Sequence, residues 1–444
     1  MNKRIVILGG GISGVGAAIL AKKQSFDVFV SDFGKISEEN KKLLSNEGIN
    51  FEEEKHTYEL ILNADEIIKS PGIPDNAPII VSAKEKSISI ISEIEFASRY
   101  TNAKMICITG SNGKTTTTEL TYHIYKKAGL NVAMAGNVGK SFALQVAKGN
   151  YDYFILELSS FQLDGMFNFK ADVAILLNIT PDHLNRYNNV FQNYINSKFR
   201  ITQNMTEDDI FIYNEDDPII LEEIKKRNIK AQKIPFSVKN ELEVGAYKKL
   251  EKIIININSK HFNMENSLLS LEGDHNVYNS MAAGISGLVE GISNQQLKKS
   301  FSDFAGVEHR LEKYIKVRGI QFINDSKATN VNSVWYALQS IDDDIVLIMG
   351  GKEDGNNYST LKDLVRQKVK AIVAMGVDNS KIIEAFKDIT KVYDTNSMED
   401  AVNTSYKIAK HGDVVLLSPA CKSFDLFKNF EDRGKQFKQA VRNL

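Results

Sequence analysis

The chain has 444 residues, a formal net charge of −1, and 43% hydrophobic and 25% charged residues. This ordinary, near-neutral composition gives no reason to expect nucleic acid or an anionic membrane as a partner. The two cysteines, Cys107 and Cys421, lie far apart in the sequence, which argues against a disulfide framework and fits a reducing compartment. Apolar runs fall short of the ~18 residues that a membrane helix needs, so we expect a cytoplasmic protein. At about 150 residues per domain, the length predicts about three domains.

The first region has the pattern of a βαβ unit. The apolar run 4–8 suits a buried parallel strand, residues 15–21 suit a helix, and residues 26–30 predict a strand ending at Asp32. Between the first strand and the helix lies Gly9-x-Gly11-x-x-Gly14, a motif typical of dinucleotide sites, where Asp32 would meet the ribose. A UDP pyrophosphate can use the same helix N-terminus. Close packing of the helix on the strand, without a ligand, is the third interpretation.

The second region carries the most specific short motif. Residues 105–124 predict a strand, a glycine loop and a helix, and the loop reads Gly110-Ser111-Asn112-Gly113-Lys114-Thr115-Thr116. Backbone N–H groups at a helix N-terminus can surround phosphate oxygens. Lys114 would neutralise the β- and γ-phosphates, and the Thr115 hydroxyl would bind Mg²⁺. Ile108 stands where the usual motif has its first glycine, but the flanking strand and helix favour nucleoside triphosphate binding over a chance glycine turn.

Polar side chains follow further strands of this region, which alternates strands and helices to about residue 230. Glu157 ends one predicted strand, and His183 lies just past the strand at 173–179. Ligands of open α/β sheets bind at the carboxyl ends of strands, where a carboxylate near a P-loop threonine suits Mg²⁺. Asn276 and Asn279 lie three residues apart at a predicted helix start, so their amides can recognise an adenine edge. Ordinary helix capping by Asn276 is the alternative.

The last third of the chain predicts another α/β region. Residues 232–272 suit a small β excursion, and strands are predicted at 320–324, 344–349, 371–375 and 413–417. Polar runs at 309–312, 324–330 and 418–425 suit a third ligand site, with helix capping as the alternative. The predicted fold class is α/β in three domains with mainly parallel sheets. These are a Rossmann-like domain at 1–95, a central P-loop ATPase-like domain at 96–305 and a C-terminal Rossmann-like domain at 306–444.

Taken together, these motifs resemble the Mur ligase family. The matching stretches keep a consistent order over nearly the whole chain, at 70–74, 110–116, 136–139, 157–163, 178–184, 273–279, 324–330 and 418–434. The runs 157–163 and 417–421 are more specific than the P-loop and favour the branch that adds D-glutamate over those that add alanine, lysine or diaminopimelate. The resemblance implies a monomeric, cytoplasmic, ATP-dependent ligase that joins D-glutamate to UDP-N-acetylmuramoyl-L-alanine through an acyl phosphate, in peptidoglycan precursor synthesis.

The resemblance also implies roles for single residues. Contacts with the UDP substrate fall to Gly11, Ile12, Ser13, Asp32, Phe33, Ser70, Gly72, Asn137, Ser159, Gln162 and His183. Contacts with ATP fall to residues 110–116, Asn276, Asn279, Arg310 and Asp325. Two Mg²⁺ ions are implied, one on Thr115 and Glu157 and one on His183 and a carbamylated Lys198. The implied catalytic residues are Lys114, His183 and Lys198. Contacts with D-glutamate fall to Lys327, Thr329, Ser423 and Phe430.

Two positions depart from the family pattern. Phe33 stands where a polar group usually follows the second-strand aspartate, so we expect stacking on the uracil there instead. The usual Gly-Gly-x-x-Lys run appears as Gly350-Gly351-Lys352-Glu353-Asp354, which places the lysine two residues early. Lys352 is still expected to reach D-glutamate.

Three other interpretations stay open from the sequence. An NAD-dependent oxidoreductase would use the first glycine motif and Asp32, but it leaves the P-loop unexplained. A folylpolyglutamate-type ligase shares the P-loop domain but normally lacks the UDP-binding domain that residues 1–95 resemble. A non-enzymatic nucleotide-binding module would show no turnover with any acceptor.

Overall fold

The computed structural model describes residues 2–138, 140–271, 273–353 and 355–444. Gly139 and Asp354, which fall inside two of the motifs above, and Glu272, at the end of the predicted β excursion, lie outside the described residues. The structure divides into two units, one built from the described residues of 1–271 and 276–304 and one from those of 272–275 and 305–444. Among the helices of the described residues, none combines the length and apolar character needed to cross a membrane.

The first unit begins with a five-stranded parallel sheet. Its elements are β1 Arg4–Leu8, α1 Ile12–Lys23, β2 Asp27–Ser31, α2 Glu38–Asn46, β3 Asn50–Glu52, α3 Tyr58–Ile61, β4 Glu66–Lys69, α4 Pro78–Glu85, β5 Ser89–Ile91 and α5 Glu93–Ser98. The strand order is β3-β2-β1-β4-β5, and the predicted βαβ unit is confirmed by the parallel pairing of β1 with β2. The order reverses between β1 and β4, so their carboxyl ends open a crevice of the kind that binds ligands.

A nine-stranded sheet follows in the same unit. Its elements are β6 Lys104–Thr109, α6 Lys114–Lys127, β7 Val132–Gly136, α7 Phe142–Lys148, β8 Tyr153–Glu157, α8 Ser160–Asp164, β9 Val173–Leu176, α9 Phe191–Phe199, β10 Ile210–Asn214, α10 Pro218–Lys226, β11 Gln232–Ser237, β12 Gly245–Lys249, β13 Lys252–Ile257, β14 Lys260–Glu265, α11 Asp274–Val289 and α12 Asn294–Asp303. Short 3₁₀ turns lie at Leu184–Tyr187, Arg200–Thr202 and Asn266–Leu268. The order is β14-β13-β12-β11-β10-β9-β6-β8-β7.

The predicted β excursion is an extension of this central sheet. β11 pairs in parallel with β10, and β12 pairs in parallel with β11. Only then do β13 and β14 add antiparallel hairpins at the sheet edge. The backbone groups of the excursion therefore find their hydrogen-bond partners in the ladder of the central sheet.

The second unit contains a six-stranded sheet. Its elements are β15 Glu312–Val317, β16 Ile320–Asn324, α13 Val331–Gln339, β17 Ile345–Met349, a 3₁₀ turn Tyr358–Leu361, α14 Lys362–Lys368, β18 Val369–Met375, α15 Ser380–Phe386, β19 Lys391–Thr395, α16 Met398–Ile408, β20 Val414–Leu417 and α17 Phe430–Arg442. The order is β15-β16-β20-β17-β18-β19, parallel except for the pair of β15 with β16. The three-sheet α/β fold with mainly parallel strands is thus confirmed. The predicted domain boundaries at 95/96 and 305/306 stay predictions.

The two sheets of the first unit share one hydrophobic core. Buried side chains of β1, α1, β6 and α7 belong to one continuous cluster. α1 approaches α7 so closely that a Cβ on Gly16 would lie 1.9 Å from Ser141 Oγ. Gly16 is therefore a packing residue. The shared core fixes the position of the crevice of the first sheet relative to the strand ends of the second.

A buried carboxyl group lies in this shared core. Glu93 is 3% exposed, and its Oε1 accepts hydrogen bonds from Ser141 Oγ at 2.6 Å and from the Ala143 N–H at 2.8 Å. Burial raises the pKa of Glu93 from 4.5 to about 7. Because the pKa of Glu93 is higher in the folded state than in the unfolded state, its protonation stabilises the fold. This contribution is complete below pH 4.5 and is lost as the pH rises through about 7.

Glu93→Gln removes this titration and keeps the accepting oxygen. We expect the difference in unfolding free energy, variant minus wild type, to increase by about 3 kcal/mol as the pH rises from about 4 to about 8. One pKa unit corresponds to about 1.4 kcal/mol. Urea denaturation of both proteins across this range measures the difference. A difference that shrinks as the pH rises would contradict a raised pKa at Glu93.

Candidate active site

The loop between β6 and α6 has the form of a phosphate cradle. Gly113 is the N-cap of α6 with φ +83°, in the left-handed region that favours glycine, and it has no side chain with which to cap the helix. The N–H groups of a first helical turn point out of the helix end, where they can bind an anion. Asn178, which follows β9, accepts from the Asn112 N–H at 2.8 Å and donates to the Asn112 carbonyl at 3.1 Å. These bonds anchor the loop to the neighbouring strand.

Two lysine side chains meet at one carbonyl oxygen of this loop. Lys114 Nζ donates to the carbonyls of Gly110 and Ser111, each at 2.8 Å. Lys198 Nζ, from α9, donates to the same Gly110 carbonyl at 2.9 Å and to Thr109 Oγ1 at 3.1 Å. Two adjacent amines in one cradle favour an anionic ligand between them.

Lys198 is the more deeply buried of the two lysines, with 2% of its surface exposed. Burial, and then the positive charge of Lys114, lower the pKa of Lys198 well below its usual value. A lowered pKa increases the share of the neutral, nucleophilic form of the amine. Such an amine can react with CO₂, which is the chemistry that the predicted carbamylation needs.

A carboxylate lies at the next strand end. Glu157 is the last residue of β8, is 1% exposed, and is the Cα partner of Ile108 in β6. Its Oε1 accepts a hydrogen bond from Asn137 Nδ2 at 2.8 Å. Thr115, at the start of α6, is 2% exposed. A carboxylate at a strand end and a hydroxyl at the start of a helix supply the hard oxygen donors that Mg²⁺ prefers.

His183 lies in a tight turn after the next strand. Its φ is +52°, and Asn188 and Asn189 in the same turn both have φ +55°. The imidazole lies 3.6 Å from the carboxylate of Asp182, and its ring centroid lies 5.2 Å from that of Phe161. Left-handed residues other than glycine persist only where the surroundings hold them, which is typical of functional sites.

The crevice of the first sheet has an open side and a packed side. Gly11 caps α1, and a Cβ added to it would meet no described heavy atom within 4 Å. A Cβ on Gly14 would lie 1.8 Å from the Gly9 carbonyl, so Gly14 serves helix–loop packing. Across the crevice, Ser70 Oγ is buried and has no hydrogen-bond partner among the described residues. A buried hydroxyl of this kind indicates where a ligand would bind.

Asp32 and Phe33 follow β2 at the same crevice. Asp32 accepts hydrogen bonds from the Gly10 N–H at 2.6 Å and the Gly34 N–H at 2.7 Å, so its carboxylate braces the glycine loop. The predicted contact of Asp32 with ribose stays a prediction. Phe33 is 75% exposed. Ile12 and Gly72 are also exposed, and Ser13 is half-buried. An exposed aromatic ring beside a nucleotide crevice suits base stacking.

Ser159 and Gln162 form a capping box at α8. The Gln162 N–H donates to Ser159 Oγ at 3.3 Å, and Gln162 Oε1 accepts from the Ser159 N–H at 3.0 Å. The sequence predicted substrate contacts for both residues and did not predict this cap. The cap fixes both side chains beside Glu157, and their substrate contacts stay a prediction.

Asn276 and Asn279 lie inside α11, which begins at Asp274. Asn279 Nδ2 donates to Asn276 Oδ1 at 3.1 Å, and Asn279 Oδ1 accepts from Thr117 Oγ1 at 3.1 Å. A Cβ on Gly113 would lie 2.6 Å from Asn279 Oδ1. The paired amides therefore lie against the P-loop, and Asn276 lies in the first turn of α11, two residues after its start, instead of at the N-cap position.

In the second unit, the predicted ligands gather at the carboxyl ends of three adjacent strands. Asp325, just after β16, is 3% exposed and accepts from Ser418 Oγ at 2.8 Å. Burial raises the pKa of Asp325 to about 6 against the opposing charge of Arg310. Lys327 Nζ lies 5.3 Å from the ring of Phe430. The site therefore combines a buried acid, a lysine and an aromatic ring.

Arg433 connects the three strand-end loops, although no motif in the sequence assigned a role to it. Its side chain is 0% exposed and donates to the Ser326 carbonyl at 2.8 Å, to Ser326 Oγ at 3.0 Å, to the Cys421 carbonyl at 3.1 Å and to the Gly350 carbonyl at 3.5 Å. Burial lowers the pKa of Arg433 to about 10. Arg433 contacts the loops that carry the remaining predicted ligands, which are Thr329, Lys352 and Ser423.

Lys352 lies on the surface of this site. Its N–H donates to the Lys422 carbonyl at 2.8 Å, which places it beside the loop after β20 that contains the buried Ser423. The Thr329 N–H donates to the Lys327 carbonyl at 2.9 Å. The contact of Lys352 with D-glutamate stays a prediction.

Three α/β sheets, with a phosphate cradle in the central sheet and polar strand-end sites in the other two, define a multidomain P-loop nucleotide-binding protein. Models of three Mur ligase domains match the chain in sequence order. They are the MurD N-terminal domain at residues 4–79, the Mur ligase middle domain at 108–287 and the glutamate ligase domain at 309–421. The chain belongs to the Mur ligase family.

Relatives of full length agree with this assignment. The chain is 58% identical over 444 residues to the UDP-N-acetylmuramoylalanine–D-glutamate ligase of Bacteroides fragilis, with all of both chains covered. It is 54% identical to the enzyme of the same name from Christiangramia forsetii, again with both chains covered in full. Among solved structures, the UDP-N-acetylmuramate–alanine ligase MurC of Thermotoga maritima has a TM-score of 0.64 at 20% identity, with full coverage of both chains. At this identity the likeness shows the shared fold.

Proposed function

We propose that this chain is the ATP-dependent ligase that adds D-glutamate to UDP-N-acetylmuramoyl-L-alanine in cytoplasmic peptidoglycan precursor synthesis. The observation that carries the chemistry is the meeting of Lys114 and Lys198 at the Gly110 carbonyl, with Glu157 at the neighbouring strand end. The names of the full-length relatives supply the two substrates. The two buried free cysteines fit a reducing compartment.

The proposed reaction needs an activated carboxylate, because oxide is a poor leaving group. Transfer of the γ-phosphoryl group of ATP to the substrate carboxylate forms an acyl phosphate, whose leaving group is phosphate. Lys114 would offset the negative charge that builds as two anions approach. The D-glutamate amine then attacks the acyl carbon and displaces phosphate. The products are the new amide, ADP and phosphate.

The donor set fits magnesium. Thr115 and Glu157 would hold one Mg²⁺ ion, and His183 with a carbamylated Lys198 would hold a second. Bound Mg²⁺ would supply charge neutralisation for the phosphates. The low pKa of Lys198 supports the carbamate, since an amine must be neutral to react with CO₂. Reaction with CO₂ would release one proton and leave one N–H on Nζ, which can still donate to the Gly110 carbonyl, while the new carboxylate supplies the oxygen ligand.

The remaining roles follow the three sheets. Residues 1–95 would bind the UDP part through Gly11, Ser70 and their neighbours, and residues 96–305 would bind ATP through 110–116, Asn276 and Asn279. Residues 306–444 would bind D-glutamate through Lys327 and the loops that Arg433 holds, with Arg310 and Asp325 directed to ATP. We also propose that the chain acts as a monomer.

Phe33→Ala should weaken binding of the UDP substrate without changing stability. The ring is 75% exposed, so its removal costs little packing. Base stacking on an aromatic side chain contributes about 1–3 kcal/mol, so we expect the KM for the UDP substrate to rise by about 5- to 150-fold. Steady-state kinetics measure KM for each substrate. Phe33→Tyr, which keeps a stacking ring, is the matched control, and an unchanged KM in Phe33→Ala would remove Phe33 from the site.

A panel of amino acids tests the proposed function. The purified protein is incubated with ATP, Mg²⁺ and UDP-N-acetylmuramoyl-L-alanine, and phosphate release is recorded with D-glutamate, L-glutamate, L-lysine, diaminopimelate or no amino acid. We expect release that depends on D-glutamate. Release that depends on another amino acid would keep the ligase class and change the acceptor. No release with any of them would refute the proposed function.

A further inference from the structure

Arg186 joins two parts of the first unit that belong to different sheets. It lies in the 3₁₀ turn Leu184–Tyr187 that follows His183. Its guanidinium donates to three successive carbonyls after β4, those of Gly72 at 3.2 Å, Pro71 at 3.3 Å and Ile73 at 3.3 Å. The loop that it holds is the one that carries Ser70 and Gly72 at the crevice of the first sheet.

The other face of Arg186 is fixed from the central sheet. Its guanidinium carbon lies 4.5 Å from the ring centroid of Phe161 in α8. The same ring lies 5.2 Å from the ring of His183, and the Arg186 N–H donates to the His183 carbonyl at 2.9 Å. One side chain therefore connects the 71–73 loop to the turn that carries His183.

We propose that Arg186 is a positioning residue for the UDP-linked substrate. It holds the Ser70–Gly72 loop in register with the His183 turn, so that the nucleotide end and the reacting end of one ligand are bound at a fixed separation. This inference rests on the proposed function, which places these two ends at these two loops. Preorganised loops lower the ordering cost of binding, so the effect of Arg186 should appear in the affinity for this one substrate.

The chemistry requires arginine. All three partners on the loop are carbonyl oxygens, and a planar fork of N–H donors can satisfy them together while it stacks on Phe161. A lysine ammonium is a point charge that can reach one or two of the three carbonyls and cannot stack in the same way. Arg186→Lys should therefore recover only part of what Arg186→Ala loses.

Arg200 supplies a matched control. Its guanidinium also donates to backbone carbonyls, including that of Leu163 at 2.8 Å, and lies 5.5 Å from the ring of Phe167. These contacts stay within the central region and do not include the 71–73 loop. Arg200→Ala therefore removes a guanidinium of similar environment without cutting the connection to the crevice.

The test is calorimetric titration of UDP-N-acetylmuramoyl-L-alanine into the full chain without ATP or D-glutamate, together with the KM of each substrate. We expect Arg186→Ala to weaken the affinity by about tenfold, with Arg186→Lys intermediate and Arg200→Ala near the wild type. The KM for ATP and D-glutamate should change by less than about twofold, because neither ligand depends on the 71–73 loop.

The outcomes separate the two proposals. A wild type that does not bind the UDP substrate overturns the proposed function and this inference with it. A wild type that binds, with Arg186→Ala binding equally well, overturns the inference alone. A similar loss of affinity for all three substrates in Arg186→Ala and Arg200→Ala would show a general structural defect and would also overturn it.

Discussion

Lys114→Met should lower kcat by about 10²- to 10³-fold, the usual cost of removing one preorganised group that stabilises a transition state. Methionine keeps much of the length of the lysine stem but carries no charge to offset the phosphates. The Gly110 carbonyl keeps its hydrogen bond from Lys198, so the change removes a donor from the Ser111 carbonyl, at a cost of about 1–3 kcal/mol of stability. Phosphate release at saturating substrates measures kcat, and thermal denaturation checks the fold.

Lys127→Met is the matched control for this result. Lys127 is the last residue of the same helix, α6, and forms an ion pair with Asp303. Lys127→Met removes one positive charge, as Lys114→Met does, but at the opposite end of the helix. A kcat for Lys114→Met within about threefold of the control would contradict the role of the cradle in phosphoryl transfer.

Lys198→Ala should lower kcat by at least about 100-fold if a carbamate at this position holds a metal ion. The lysine is buried, its pKa is lowered by desolvation and by Lys114, and it lies at the Gly110 carbonyl. Carbamylation gives a direct spectroscopic signature. The wild type equilibrated with ¹³C-bicarbonate should show a carbamate carbon resonance that is absent from Lys198→Ala.

Lys226→Ala controls for the loss of a lysine. Lys226 lies at the end of α10, where it is largely exposed and pairs with Glu222 at 2.6 Å. It should keep both the resonance and the wild-type kcat. A carbamate resonance that persists in Lys198→Ala, or a variant with wild-type kcat, would refute the modification of Lys198.

Several of the strands that the sequence predicted are buried on both faces. β1, β6, β17 and β20 are short apolar runs, and the structure places each inside its sheet. The sequence missed β15 and β19, which are the two edges of the six-stranded sheet and whose residues are exposed or half-buried. An edge strand needs no continuous apolar run, so its signal is weak. The pairing of β11 with β10 depends on contacts between distant residues, which local patterns do not specify.

The site was predictable where it rests on strand ends. Glu157 and the P-loop were expected at one edge of one sheet, and β8 does pair with β6. Because the chain belongs to the Mur ligase family, the UDP interpretation of the first glycine motif replaces the dinucleotide interpretation. The role of Asp32 as a brace for Gly10 could not be predicted, because it depends on how the loop folds back on the strand end.

Arg433 and Arg186 were missed for different reasons. Arg433 shares the buried face of α17 with Phe437 and Val441, at four-residue spacing, so a charged residue on an apolar helix face was a usable signal. Arg186 lies in a polar turn, and its partners are backbone carbonyls more than a hundred residues away. Every residue has a backbone carbonyl, so the sequence does not indicate which carbonyls accept these bonds, and the contact is visible only in the structure.

Transfer of oxygen from substrate to phosphate tests the central claim most directly. UDP-N-acetylmuramoyl-L-alanine with an ¹⁸O-labelled carboxylate is incubated with the protein, ATP, Mg²⁺ and D-glutamate, and both products are analysed by mass spectrometry. An acyl phosphate requires one labelled oxygen in each phosphate released and a product heavier by one glutamyl residue. Unlabelled phosphate would contradict carboxylate activation, and absence of the glutamyl product would contradict the ligase itself.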